Sequence, residues 1–193
     1  MTNNVTNIVN SLSREGTIRL KNNVGGVVLE VSYSNDHPSP VGADGTGHSL
    51  VLARPSYGEN DPAAWSISDH AGGSPGLNEA YTNDPLRNIF INEILAYTDL
   101  PLLDSIELYN HSNTTNNLSG CILTDDATTN KFVIPNGTTI PPRGFVMFDQ
   151  NQLGFALSSG GETVYLWNSN RTRLLDVVQF GAQEHGVSKG RQR

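Results

Sequence analysis

The strongest constraint on this chain is a period of two. From residue 88 onward, short stretches alternate apolar and polar positions: "NIFINEIL", "SIELYN", "CILTDD", "KFVIP", "GFVMFD", "ETVYLWN" and "LLDVVQF". That pattern sends successive side chains to opposite faces of a strand, whereas a helix repeats its apolar residues every three or four positions. Each stretch is bounded by Gly, Pro, Asn or Asp, the residues that set tight turns. About seven short strands separated by turns predict an all-β fold, an antiparallel β-sandwich.

The first half shows the same period. In "TIRLK", Ile18 and Leu20 share one face, with Arg19 and Lys21 on the other; "VVLEVSY" lines up Val27, Leu29, Val31 and Tyr33. "SLVLARP" and "AAWSIS" read as a strand pair joined by the turn-rich "SYGENDP". Helical spacing is best at Val5, Ile8, Val9 and Leu12, where a short helix and a lead-in to a strand both remain open. "SISDHAGGSPGLNEAYTNDPLR" carries no period and many breakers, which places the main boundary near residues 76–87.

The two halves share a repeat. "GTIRLKNNVGGVVLEVSY" aligns with "ETVYLWNSNRTRLLDVVQF": Thr17, Ile18 and Leu20 match Thr163, Val164 and Leu166. After a one-residue insertion, Val27, Val28, Val31 and Tyr33 match Leu174, Leu175, Val178 and Phe180. Each copy reads as a hairpin. The first copy lacks the strands that precede the second, so residues 12–78 are expected to dock on the second domain, supply strands to it, or pair with another chain, because open strand edges associate.

Composition narrows the function classes. A net charge of −7 disfavours a grip on nucleic-acid phosphates. The basic tail "SKGRQR" is short and reads as a solvated end. Cys121 is the only cysteine, so no intrachain disulfide is possible, and its apolar strand points to a buried, inert thiol. No apolar run is long enough to span a bilayer, and the N-terminus lacks the pattern of a signal peptide.

In order, "INEILAYTD", "DSIELYN", "LSGCILTDD", "FVIPNGTTIPPRGFVMFD", "FALSSGGETVYLWN" and "LLDVVQFGAQEHGVSKGR" resemble the lamin-tail domain in its bacterial form, across residues 88–191. Residues 12–78 resemble the C-terminal portion of another copy. The resemblance implies two units: an incomplete one over 1–80, and an immunoglobulin-like β-sandwich over 86–193. It also implies a non-catalytic role, as an interaction or spacer module of an exported bacterial protein, extracellular or in the cell envelope. Two positions depart from the family pattern, Ser105 and Cys121, where the family commonly carries Trp.

Glu93 and Glu107 interrupt apolar strands, and both belong to the family pattern. A carboxylate pair of this kind could do acid–base chemistry. It could bind a hard cation with Asp99 and Asp104. It could also pin strand ends, for example by pairing with Arg143, and a scaffold role is the commonest for a strand acid. No catalytic residue and no cofactor are expected. His37, His48, His70, His111 and His185 show no metal-ligand spacing and read as turn or surface residues. "GHSLV" lacks the final glycine and following helix of a nucleophile elbow. No metal site is expected, the acidic loops offering only Asp36, Asp44, Asp125 and Asp126 as weak calcium candidates. Six N-x-S/T sequons occur, including Asn110.

Aromatic side chains are the better binding clue. If Val164 and Leu166 face inward, Tyr165 and Trp167 face outward, and together with Trp65 they form a candidate platform for a sugar or a protein partner. Packing against the N-terminal segment is the competing reading. A carbohydrate-binding accessory of a secreted hydrolase is therefore the alternative function. The partner is a protein or polysaccharide, with no nucleic acid and no membrane span; a homodimer or strand exchange through the N-terminal unit is also open.

Overall fold

The structure, a computed structural model, describes residues 13–36, 38–76 and 84–191. The apolar spacing at Val5–Leu12, His37 and most of the proposed boundary lie outside these residues. Strands β1 (Gly16–Lys21) and β2 (Val27–Tyr33) form a hairpin, and β3 (Leu50–Leu52) and β4 (Trp65–Ile67) form a second antiparallel pair, the one expected around "SYGENDP". The rest holds β5 (Ile89–Leu95), β6 (Ser105–Asn110), β7 (Asn116–Asn117), β8 (Ile122–Thr124), β9 (Phe132–Val133), β10 (Thr139–Ile140), β11 (Phe145–Asp149), β12 (Gly161–Trp167), β13 (Leu174–Gly181) and β14 (Lys189–Gly190).

Two four-stranded antiparallel sheets face each other, in the orders β11-β6-β5-β14 and β13-β12-β8-β9. Between them lies one core that includes Ile91, Ile94, Ile106, Leu108, Val164 and Leu166. Alternation explains it: in β6, Ile106 and Leu108 are buried while Ser105, Glu107 and Tyr109 face the other way. The expected sandwich is therefore present. The tail read as solvated contributes a strand instead, since Lys189 and Gly190 pair with Ile94 and Glu93 of β5.

A single turn of helix, α1 (Gln150–Leu153), follows β11. Asp149 caps it by accepting from Gln152 N, while the Gln152 side chain accepts from Asp149 N, a capping box. The chain leaves it through Gly154 at φ 73°, a left-handed conformation that suits glycine.

The N-terminal segment docks on the outer face of the β12–β13 sheet. The turn Val41–Ala43 brings Gly42 so close that a Cβ there would meet Leu174, Ile67 and Val177 at 2.9–3.1 Å. His48 is buried, against the surface role expected for it: its Nε2 accepts from Leu174 N at 3.2 Å and its ring lies 5.5 Å from that of Trp167. Arg173, 6% exposed, donates to Asp69 Oδ2 at 2.7 Å and also to Asp84, and Arg87 reaches Asp69 as well. This ion network joins the segment after β4, the turn before β5, and β13.

Candidate functional site

The answer to the strand acids is a β-bulge. β5 pairs Ile91 with Leu108 and then Glu93 with Glu107, which leaves Asn92 as the extra residue. The buried positions shift from Ile89 and Ile91 to Ile94, and Asn92 and Glu93 stay on the outer face. Glu93 and Glu107 are direct cross-strand partners on that face. Asn92 Nδ2 donates to Glu107 Oε1 at 2.7 Å, and Gly190 lies opposite Glu93. Arg143 is not their partner, because its Nε donates to Asn113 Oδ1 at 3.1 Å. Asp104 is occupied elsewhere: it accepts from Thr98 Oγ1 and Leu157 N, at 3.0 and 3.1 Å. Asp99 lies beside His185, at 3.1 Å.

Beside the acids runs an aromatic strip. The register sets Phe90, Tyr109 and Phe145 abreast on three adjacent strands. Tyr109 and Phe145 stack with centroids 4.9 Å apart, and His111 packs edge-on against both Phe90 and Tyr109. The Arg191 guanidinium lies 5.9 Å from the Phe90 ring. Phe145 is 39% exposed and Met147 is 52% exposed, and both sit on β11, the edge strand of the sheet. An outward aromatic and apolar row on a sheet face that the described residues leave uncovered, flanked by carboxylates and an amide, is suited to contact.

The platform read from the sequence sits elsewhere and is not open to solvent. Tyr165 and Trp167 do turn away from the main core, as alternation predicts. They join Ile122, Leu174, Val177 and Ile67 in a second apolar cluster under the N-terminal segment. Trp167 is only 1% exposed, with the Arg171 guanidinium 4.9 Å over its ring. Burial raises the Tyr165 hydroxyl above its usual pKa. Trp65 lies apart on β4, half-buried, its Nε1 donating to Glu59 O at 2.7 Å. The three aromatics therefore make no common platform.

The loop acids are engaged by their own surroundings. Asp36 accepts from Gln179 and Asp44 from Asn35. Asp125 pairs with Lys131, and Asp126 accepts from the amide and hydroxyl of Thr128, which hold its carboxyl below the usual range. Among the described residues no three His, Cys, Asp or Glu side chains group as metal ligands do.

Sequence reasoning missed Asn110, seen there only as a sequon. It is wholly buried; its Nδ2 donates to the carbonyls of Thr114, Ile140 and Pro141, and its Oδ1 accepts from Ser112 and Asn116. One amide thus closes the β6–β7 loop onto β10. Its position at the end of an alternating strand, on the inward phase, was the available signal. Ser105 and Cys121 also part company: Ser105 faces outward beside Leu95 and Asp149, while Cys121 is in the main core. Aromatics at these two positions would lie on different faces.

Two facing antiparallel sheets, with their acids on an outer face, define an immunoglobulin-like β-sandwich module. The family model of the Lamin Tail Domain matches residues 82–182, more than half of the chain, and the chain belongs to that family. Such domains are generally non-catalytic. No curated protein matches the chain, and neither does any solved structure.

Proposed function

We propose that this chain is a non-catalytic interaction or spacer module of an exported, multidomain bacterial protein, working outside the cell or in its envelope. One observation carries the reading. The sandwich has two outer faces, and the N-terminal segment covers one while the other displays Phe90, Tyr109, Phe145 and Met147. The open face is the contact surface. Residues 1–80 act as the closing part of a preceding unit, and the buried ion network around Arg173 fastens the stretch at Asp69 to the sandwich. Glu93 and Glu107 serve the scaffold.

The test has two parts. Esterase, glycosidase and phosphatase substrates are offered to the protein, and no turnover is expected; turnover abolished by Glu93→Gln or Glu107→Gln overturns the reading. A double variant Tyr109→Ala/Phe145→Ala is then compared with wild type for thermal stability and for retention on insoluble cellulose and chitin. The second reading, a carbohydrate-binding accessory, draws support from the aromatic strip with its flanking Asn92, Glu93 and Glu107. It expects retention that the double variant loses. Retention unaffected by that variant, or lost with Trp65→Ala instead, counts against this face.

A further inference from the structure

His48 is 5% exposed, and the fold gives each of its ring nitrogens a fixed role. A backbone amide can only donate, so the bond from Leu174 N at 3.2 Å requires a bare lone pair on Nε2. The ring proton then sits on Nδ1, which donates to Thr46 Oγ1 at 3.1 Å. Thr46 in turn donates its hydroxyl to Gly42 O. Gly42 is the residue packed so closely on Leu174, Ile67 and Val177 that no side chain would fit there. One polar relay thus runs from β13 through an imidazole to the turn that seats the N-terminal segment. It is complete only while the ring is neutral.

Protonation places a second N–H on the ring. Nε2–H then faces Leu174 N–H, donor against donor, and a full charge stands in a buried apolar site. The Trp167 ring, 5.5 Å away, already carries the Arg171 guanidinium, so a second cation there meets a like charge. The other titratable groups around the site have partners or places of their own. Arg14, Tyr33 and Asp44 line an open cleft of about 450 Å³ that His48 also lines, and Asp44 accepts from Asn35 Nδ2 at 3.2 Å. Arg173, next to Leu174, turns its guanidinium to Asp69 and Asp84. Tyr165 joins Trp167 in the apolar cluster below, and His70 lies 3.4 Å from Asp69. The cleft gives water a path to the ring.

We propose that His48 is an acid-sensitive latch: a proton taken up there releases the N-terminal segment from the outer face of the β12–β13 sheet and uncovers Trp167. An undocked, hydrated histidine titrates near the ordinary value, about 6.5, whereas the docked ring is held neutral. The undocked state therefore binds the proton more tightly. Docking is fully present above the histidine range and weakens as pH falls below it, by up to about tenfold per pH unit for one proton. His70 acts in the opposite sense, because Asp69 favours its charged form. Release would give the chain a second contact face, opened by acid, in addition to the one that is open already.

Native-state proteolysis of the full chain between pH 7.5 and 5 tests this, with cuts inside residues 38–76 identified by mass. Rates are corrected with an unstructured peptide for the protease's own pH dependence. When opening is fast, cutting tracks the open population, so the corrected rate should rise by roughly tenfold or more over this range. His48→Gln keeps an acceptor for Leu174 N and does not titrate, and its rate should stay level. A wild-type rate that does not change overturns the proposal, as does a rise that His48→Gln shows in equal measure. If the variant is cut rapidly at every pH, the wild-type protein decides alone. Nitrogen-15 NMR of its histidine rings should then show a bare Nε2 on His48 at pH 7.5, and protonation of that ring in step with the cutting. A His48 ring already charged at pH 7.5, or one that protonates while the segment stays protected, overturns the latch as well.

Discussion

At the scale of single residues, the two strand acids show how local geometry decides role. Like charges placed directly opposite on adjacent strands repel, and Asn92 bonds to one of them. Glu107→Gln removes the repulsion and keeps an oxygen acceptor for Asn92. It is expected to raise stability by about 0.2–1 kcal/mol, read as a higher denaturation midpoint at unchanged slope; a loss would mean that the carboxylate charge itself supports the fold. Burial, and secondarily the nearby Asp84, lift the Cys121 thiol from 9.0 to about 11. At neutral pH it is therefore almost entirely protonated, and a thiol reagent should label it only after denaturation. Rapid labelling of native protein would place it outside the core. The sequence showed both acids and the thiol plainly. The bulge was only half visible: Ile91 and Ile94 stand three apart in "FINEI", which breaks the two-residue phase, but only their shared burial and the pairing of Glu93 with Glu107 show that Asn92 is the extra residue. For Trp167 two readings stood open, an outward platform and packing against the N-terminal segment: its direction follows from alternation, but the cover that decides for packing comes from Ile67 and His48, a hundred or more positions earlier.

At the scale of elements, polar side chains inside the fold join segments that strand pairing leaves separate. Asn110 satisfies three carbonyls of the β6–β7 loop and of β10 and its following residue. Asn110→Ala leaves these groups buried without their donor and should cost on the order of 3 kcal/mol, measured by urea denaturation. Arg173 is nearly buried between Asp69 and Asp84. Arg173→Met leaves two carboxylates facing each other with their shared cation gone. It should destabilise by about 3–5 kcal/mol and make the segment before residue 76 an early target of limited proteolysis. If cleavage there is no faster than in wild type, the network does not hold the segment. Of this, only the inward phase of Asn110 was legible beforehand. Strand positions follow from a local period, and the two hairpins followed from their repeat, but Arg173, Asp69 and Asp84 meet only because two distant turns converge on the start of β13. The outward phase of Phe90, Tyr109 and Phe145 is equally implicit in alternation, yet only the register sets three separate strands abreast.

At the scale of the whole molecule, the two sheets are tied at one edge by a carboxylate. Asp176 of β13 accepts from Ile91 N of β5 at 2.7 Å and from both terminal nitrogens of Arg191, at 2.8 and 3.0 Å. Arg191 follows β14 and donates its own amide to Asn92 O. Opposing influences act on this group. Burial disfavours the charged form, while Arg191 and the backbone amides of Ile91 and Val177 favour it; burial prevails, and the Asp176 carboxyl titrates above its ordinary value. The sign follows from proton linkage. The folded state binds this proton more tightly than the unfolded chain does, so the stability owed to the group is fully present below the ordinary carboxylate pKa. It is lost as pH rises through the raised one. Asp176→Asn keeps an acceptor for Ile91 N and removes the buried charge, while Arg191, part of whose side chain meets solvent, loses its ion pair but not its hydration. Stability of wild type and variant is compared by denaturant titration at pH 3 and pH 7. The variant should gain on wild type between the two, since only wild type must hold an ionised carboxylate at the higher pH. A gap that moves the other way would mean that the Arg191 pair outweighs burial, and that the sheets are clamped by charge rather than in spite of it.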